Sequence, residues 1–254
     1  MPGIGYDSML ALGIRSSDQA LALDSASSDA WMSRGYLSAY RDPRTLAGMR
    51  EAFERAIAHD PRNVEAYHQL GAKLPLLGED SAAAVAMARA LALDPDRAIT
   101  LRNMGLLEAR RRRFPEAIRW LDSAVTVDPG AVYARRDRAL LRLTLGDTAG
   151  ARLDIAAASS AIVPGLEQWG PALQAALVAA EGDPAAAHRE TERIARELDD
   201  GRNHSFELTY LAVAFLKAGD PVRALDALET FRPTAAVLWA ELRLPWLEIG
   251  RAHV

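Results

Sequence analysis

Three stretches, RAIAHDP (55–61), RALALDP (89–95) and SAVTVDP (123–129), close similar segments of the chain, and their prolines Pro61, Pro95 and Pro129 are 34 residues apart. A fixed period of this size is the mark of a helical solenoid, in which each unit buries its apolar face only by stacking on the next. Such arrays present long surfaces to partners and rarely enclose a water-free catalytic pocket. The expected fold class is therefore all-α.

Composition points the same way. Half of the 254 residues are apolar and a quarter are charged, enough to bury a continuous core in one globular or elongated body. Ala and Leu dominate the apolar set and favour helix, whereas β-branched or aromatic runs bounded by turn residues are missing. A net charge of −4 and a pI near 5.8 argue against a general nucleic-acid binder, which needs a basic face for phosphate, and leave room for a local basic patch. With no cysteine, disulfides, thiol catalysis and Cys-based zinc sites are excluded. Cytoplasm and periplasm both fit, and cytoplasm is expected. The opening MPGIGYDSML has no basic region followed by an apolar stretch. The longest apolar run, near Ala172 to Ala180, is too short to span a bilayer. Neither a visible export signal nor membrane insertion is expected of this segment.

Counting each unit so that its Asp-Pro proline is position 32 brings out the packing logic. From Val64, residues Tyr67, Leu70, Gly71, Leu74, Ala83, Met87, Ala90 and Pro95 fall at 4, 7, 8, 11, 20, 24, 27 and 32. The next unit repeats this with Leu101, Met104, Gly105, Ala117, Leu121, Ala124 and Pro129. Steps of three and four put the apolar set on one stripe of a first helix, and Gly or Ala lets a second helix approach closely. This pattern resembles the tetratricopeptide repeat, with large residues at 4, 7, 11 and 24 and small ones at 8, 20 and 27. The resemblance covers roughly residues 20 to 248 and is strongest over 64–131. It implies a right-handed α-solenoid of stacked antiparallel helix pairs, about six repeats. The unit from Val132 keeps Ala139, Ala151, Ile155 and Ala158 but carries Arg135, Arg138 and Arg142 where bulk is usual. It reads as a degraded repeat.

Turn residues extend the register. Gly182-Asp183-Pro184 and Gly219-Asp220-Pro221 each read as a helix-ending Gly, a capping Asp and a Pro in the first helical turn, at the place of Gly78 and Gly146. Upstream, Trp31 and Gly35 supply positions 4 and 8 of a unit ending at Pro61, with two extra residues placed around Arg41-Asp42-Pro43. The expected divisions are 1–25 as the tail of a preceding repeat, then 26–63, 64–97, 98–131, 132–166, 167–203 and 204–236, then a C-terminal helix reaching 248. Pro75, at position 12, should kink or end a first helix early. Residues 248–254, Glu-Ile-Gly-Arg-Ala-His-Val, match the translation of a sequencing-library adapter. The tail 249–254 is thus expected to be non-native, on a truncated gene fragment; a short disordered natural tail is the alternative.

Candidate chemistry is sparse. The histidines His59, His68, His188, His204 and His253 are scattered without zinc-ligand spacing. His188 and Glu192 share a helix face as in an exposed salt-bridged helix. Ser16, Ser17, Ser27 and Ser28 sit in turn or cap contexts without a nucleophile elbow. No Gly-rich phosphate loop is present. No catalytic residue, metal site or cofactor is expected, and the chain is not expected to be an enzyme.

Basic residues do cluster: Arg102, Arg110, Arg111, Arg112 and Arg113, then Arg135, Arg136, Arg138 and Arg142. In the tetratricopeptide family, first-helix positions 2, 5, 9 and 12 tend to line the concave groove. By that resemblance the groove includes His68, Ile99, Arg102, Leu106, Tyr133, Arg136, Leu140, Trp169, Phe206 and Val213. An apolar and aromatic channel bearing Arg102 and Arg136 suits a peptide with an acidic group, since guanidinium binds carboxylate in two-pronged fashion. The other reading makes 110–113 a solvated turn and pairs the groove arginines with local acids. The carboxylate clamp of chaperone-binding members is not expected, because position 9 holds Ala72, Leu106 and Leu140. The tone of ALALDS, SSDAW, RDPRTLAG and RNVEAYHQLG resembles arrays that follow kinase or cyclase regions in bacterial signalling proteins. The expected function is protein or peptide binding as the sensor or interaction part of such a protein. A free-standing assembly scaffold is the alternative, and a small-molecule enzyme a distant one. Oligomeric state is not legible.

Overall fold

A computed structural model of the chain describes residues 6–41, 46–159, 169–198 and 205–229. Among the described residues there are thirteen α-helices, one 3-10 turn and no strand, so the fold is all-α. The helices are α1 (Tyr6–Leu23), α2 (Ser28–Arg41), α3 (Leu46–His59), α4 (Val64–Lys73), α5 (Asp80–Leu93), α6 (Ala98–Arg110), α7 (Phe114–Val127), α8 (Val132–Leu145), α9 (Thr148–Ser159), α10 (Trp169–Ala180), α11 (Pro184–Leu198), α12 (Ser205–Lys217) and α13 (Pro221–Glu229). The C-terminal helix and tail expected beyond 236 lie outside the described residues.

Contacts group the chain into two compact units, one through Leu107 and one from Glu108, with α6 running through the boundary. In unit 1, α1 packs on α2, α2 on α3, α3 on α4 and α4 on α5. In unit 2, α7 packs on α8, α8 on α9, α9 on α10, α10 on α11 and α12, and α12 on α13. The core of unit 2 runs from Ala117 and Leu121 through Leu140, Leu143, Ile155, Leu173 and Leu177 to Phe215 and Ala224.

The Asp-Pro motif works as a helix stop. Asp60, Asp94 and Asp128 each donate a last backbone hydrogen bond to the helix, to the carbonyls of Ala56, Ala90 and Ala124 at 2.8–3.0 Å. A residue before proline is pushed out of the helical region, and Asp94 (φ −138°, ψ 88°) and Asp128 (φ −126°, ψ 95°) lie outside it. Carboxylate Oδ1 of Asp60 then accepts from the Arg62 amide at 2.9 Å, and that of Asp128 from Gly130 at 2.8 Å. Asp24, which has no proline after it, makes the same turn with the amide of Ala26 at 3.0 Å.

Five other turns share one backbone motif. The amides of Glu79, Arg113, Asp147, Asp183 and Asp220 reach back to the carbonyls of Leu74, Glu108, Arg142, Val178 and Phe215 at 2.8–3.2 Å. The preceding residue is left-handed in each, with φ of 76°, 60°, 86°, 105° and 82°. This is the Schellman ending, which favours glycine because a Cβ clashes there. Four of the five are Gly78, Gly146, Gly182 and Gly219; the fifth is Arg112. Pro75 acts as its missing amide requires: α4 stops at Lys73 and the chain tightens into the 3-10 turn Leu74–Leu77.

Helix approach explains the small positions. A Cβ on Gly71 would lie 2.5 Å from Met87 Cγ and 3.1 Å from the Ala83 carbonyl oxygen, so only glycine lets α4 meet α5 this closely.

Candidate functional site

In unit 1 the sequence-derived groove residues divide by exposure. His68 on α4 is buried at 4 % exposure, and its Nδ1 lies 2.9 Å from the Thr100 hydroxyl of α6. Burial, reinforced by the charges of Arg97, Lys73 and Arg102 and opposed by Glu65, pushes the imidazole from its ordinary value to about 4. It is therefore a neutral hydrogen-bonding core group at neutral pH. Leu106 is also buried, Arg102 is half-buried, and Ile99, one turn before Arg102 on α6, is 40 % exposed. Tyr36, at position 9 of the first pair, is 39 % exposed. It belongs with these accessible positions although it was absent from the sequence-derived set; the register fixed by Trp31 and Gly35 carried the signal.

In unit 2, Tyr133 is 39 % exposed, whereas Arg136 and Leu140 are each 1 % exposed and Val213 is buried. Trp169 and Phe206 fall on α10 and α12, and their side chains lie outside the described residues. Arg136 donates from Nε and Nη2 to Asp137 Oδ1 at 3.3 and 3.2 Å. The Tyr210 hydroxyl donates to the same oxygen at 3.4 Å. The guanidinium carbon sits 4.9 Å from the centre of the Tyr133 ring and 5.0 Å from that of Tyr210. Cation–π contacts and a local carboxylate thus hold this charge inside the fold. Of the two readings of the groove arginines, local pairing describes Arg136.

The arginines that break the apolar pattern on α8 build a second cluster. Arg138 donates from Nε and Nη2 to both oxygens of Asp154 at 2.8 and 2.5 Å and from Nη1 to Asp122 at 2.7 Å. Arg142 reaches Asp154 at 2.8 Å and the Gly150 carbonyl at 3.2 Å, and Arg135 approaches Asp154 at 3.7 Å. Asp154 is 1 % exposed. Burial works against the charge of Arg138, but the hydrogen bonds and fields of Asp154 and Asp122 outweigh it, so its pKa is raised. What the sequence presents as a degraded repeat keeps an apolar core through Leu140, Leu143 and Ile155 and adds an ionic cluster beside it.

Three of the serines and His188 with Glu192 have structural partners. Ser17 Oγ donates to the Ile14 carbonyl at 2.8 Å, Ser27 Oγ accepts from the Ala30 amide at 3.3 Å, and Ser28 Oγ donates to the Ala56 carbonyl at 2.8 Å. Glu192 accepts two hydrogen bonds from Arg223 at 2.7 and 2.9 Å. His188 Nδ1 is 3.8 Å from Asp220. Among the described residues no three His, Asp or Glu side chains converge as metal ligands, and no helix is long and apolar enough to cross a membrane.

No family model matches the chain, and no curated protein sequence does. Solved structures do share the fold. PilW, described as a widely conserved type IV pilus biogenesis factor, superimposes with a TM-score of 0.64 at 19% identity, over 76% of this chain and 88% of its own. A tetratricopeptide repeat protein from Parabacteroides merdae gives 0.59 at 17% identity, over 89% and 90%. YrrB, described as a tetratricopeptide protein with an unusual peptide-binding site, gives 0.50 at 17%, over 80% and 99%. The chain therefore has the all-α helical-repeat fold of tetratricopeptide proteins.

Proposed function

We propose that the chain is a non-enzymatic scaffold that binds a protein or peptide, serving as the cytoplasmic interaction region of a bacterial signalling protein. The observation that carries the reading is the display in unit 1. Ile99 and Tyr36 are exposed and Arg102 is half-buried at first-helix positions. An apolar and aromatic surface with a cation suits a peptide that combines a hydrophobic anchor with a carboxylate. The helical-repeat fold supports it, because such arrays bind with little backbone change. Buried acids that a catalytic reading would need, Asp154, Asp137 and Glu108, are engaged by arginines instead.

A peptide array followed by calorimetry of the best binder tests the scaffold. Ile99→Ala and Arg102→Glu should each weaken that peptide about tenfold, one lost anchor or charge-assisted bond. Unchanged affinity in folded variants rejects the surface. Arg136→Glu is unsuitable here, since it would bury two carboxylates together. The signalling role is tested at the gene: an open frame continuing into a kinase or cyclase supports it, and a native start and stop around this array favours the free-standing scaffold.

A further inference from the structure

We infer that the turn 110–113 is a second docking element, separate from the surface proposed above, and that it takes an acidic segment of a protein partner. Its sibling turns set the expectation. Gly146-Asp147, Gly182-Asp183 and Gly219-Asp220 in the same unit, and Gly78-Glu79 in unit 1, pair a left-handed glycine with an acid. The Asp147, Asp183 and Asp220 carboxylates accept from the amides of Gly150, Ala186 and Arg223 at 2.8–3.0 Å, capping the next helix. Here both residues are arginine. Arg112 holds φ 60°, and Arg113, at the N-cap of α7, makes no side-chain cap.

Three local rules are broken together. A side chain sits where glycine is favoured, a cap is missing, and positive charge stands at the positive end of a helix. Strain kept at a surface turn points to a use for the side chain. The nearby acids are shared: Glu108, 6 % exposed, lies between Arg111 at 2.9 Å and Arg113 at 3.4 Å, and Glu116 accepts from Arg119 at 3.0 Å while also feeling the charge of Arg113. Arg112 is exposed, and the Arg113 side chain is 61 % exposed. Two adjacent guanidiniums match a pair of carboxylates. A nucleic-acid backbone fits less well, because it needs an extended basic track, and the equivalent turns of this unit carry Asp147, Asp183 and Asp220.

The test uses the whole chain and a fluorescein-labelled octaglutamate peptide, read by anisotropy at low and moderate salt, beside thermal melting. Converting the turn to its sibling chemistry, Arg112→Gly with Arg113→Asp, should weaken the peptide about tenfold while the melting temperature holds or rises. Arg112→Gly alone should lose several-fold with the same thermal result. Equal peptide affinity in wild type and the double variant would overturn the inference. So would a dT8 oligonucleotide that binds tenfold more tightly than the peptide, which would assign the turn to nucleic acid.

Discussion

Helix pairs α4–α5 and α8–α9 occupy the same place in the repeat and fill its first-helix large positions by different means. In the first, Gly71 and Ala83 let the helices close on Met87, with Leu70, Ala86 and Ala90 alongside. In the second, Ala139, Ala151 and Ala158 keep the small positions and Ile155 one large one, but Arg135, Arg138 and Arg142 replace the other three and gather around Asp154. The small residues fix how near two helices come; what fills the remaining volume is open to exchange provided its polar groups are satisfied. An apolar filling degrades gradually when trimmed. An ionic one fails at once when a partner is removed.

The largest expected effect follows directly. Asp154→Ala leaves Arg138 with Asp122 alone and removes the acid at the centre of the cluster, and should cost unit 2 about 3 kcal/mol, seen in urea unfolding and as lost hydrogen-exchange protection in α8 and α9. A loss under 1 kcal/mol would break the comparison.

Unit 1 has its own buried polar point in His68. Its folded pKa, about 4, lies below the ordinary value, so between roughly pH 6.5 and 4 the unfolded chain binds a proton that the folded chain does not. Stability from this group is complete above that window and falls by roughly 2–3 kcal/mol as pH drops through it. Urea midpoints at pH 7 and pH 4.5 should show the loss, and His68→Gln should flatten the slope relative to wild type.

Gly71→Ala comes next, at about 1–3 kcal/mol of overpacking against Met87, measurable as a lowered unfolding midpoint. An unchanged midpoint would show that α4 and α5 have slack. Smallest is Arg112→Gly, which should raise stability by about 1 kcal/mol by removing left-handed strain, a shift of a few degrees in thermal melting. The reciprocal Gly146→Arg should lose a similar amount.

The period, the Asp-Pro stops, the Gly-Asp turns and the break at Pro75 were legible because each depends on a few neighbouring residues and on backbone sterics. The ionic cluster around Asp154 was not, because its meaning lies in partners far along the chain, and local pairing of Arg136 was one of two open readings. Asp122 and Asp154 stand 16 residues on either side of Arg138, and Tyr210 stands 73 residues from Asp137. Spacing placed Arg136 at a groove position, yet only packing shows that its guanidinium is enclosed by Asp137, Tyr133 and Tyr210. Arg112 was readable as part of a charge run, while its strain needed the backbone angle.

A double-mutant cycle between Arg138 and Asp154, each changed to Ala and followed by urea unfolding, tests the ionic core most directly. The account predicts that the two losses are far from additive, with a coupling of about 2 kcal/mol or more. Additive losses would contradict it and return α8–α9 to an ordinary apolar pair with surface charges.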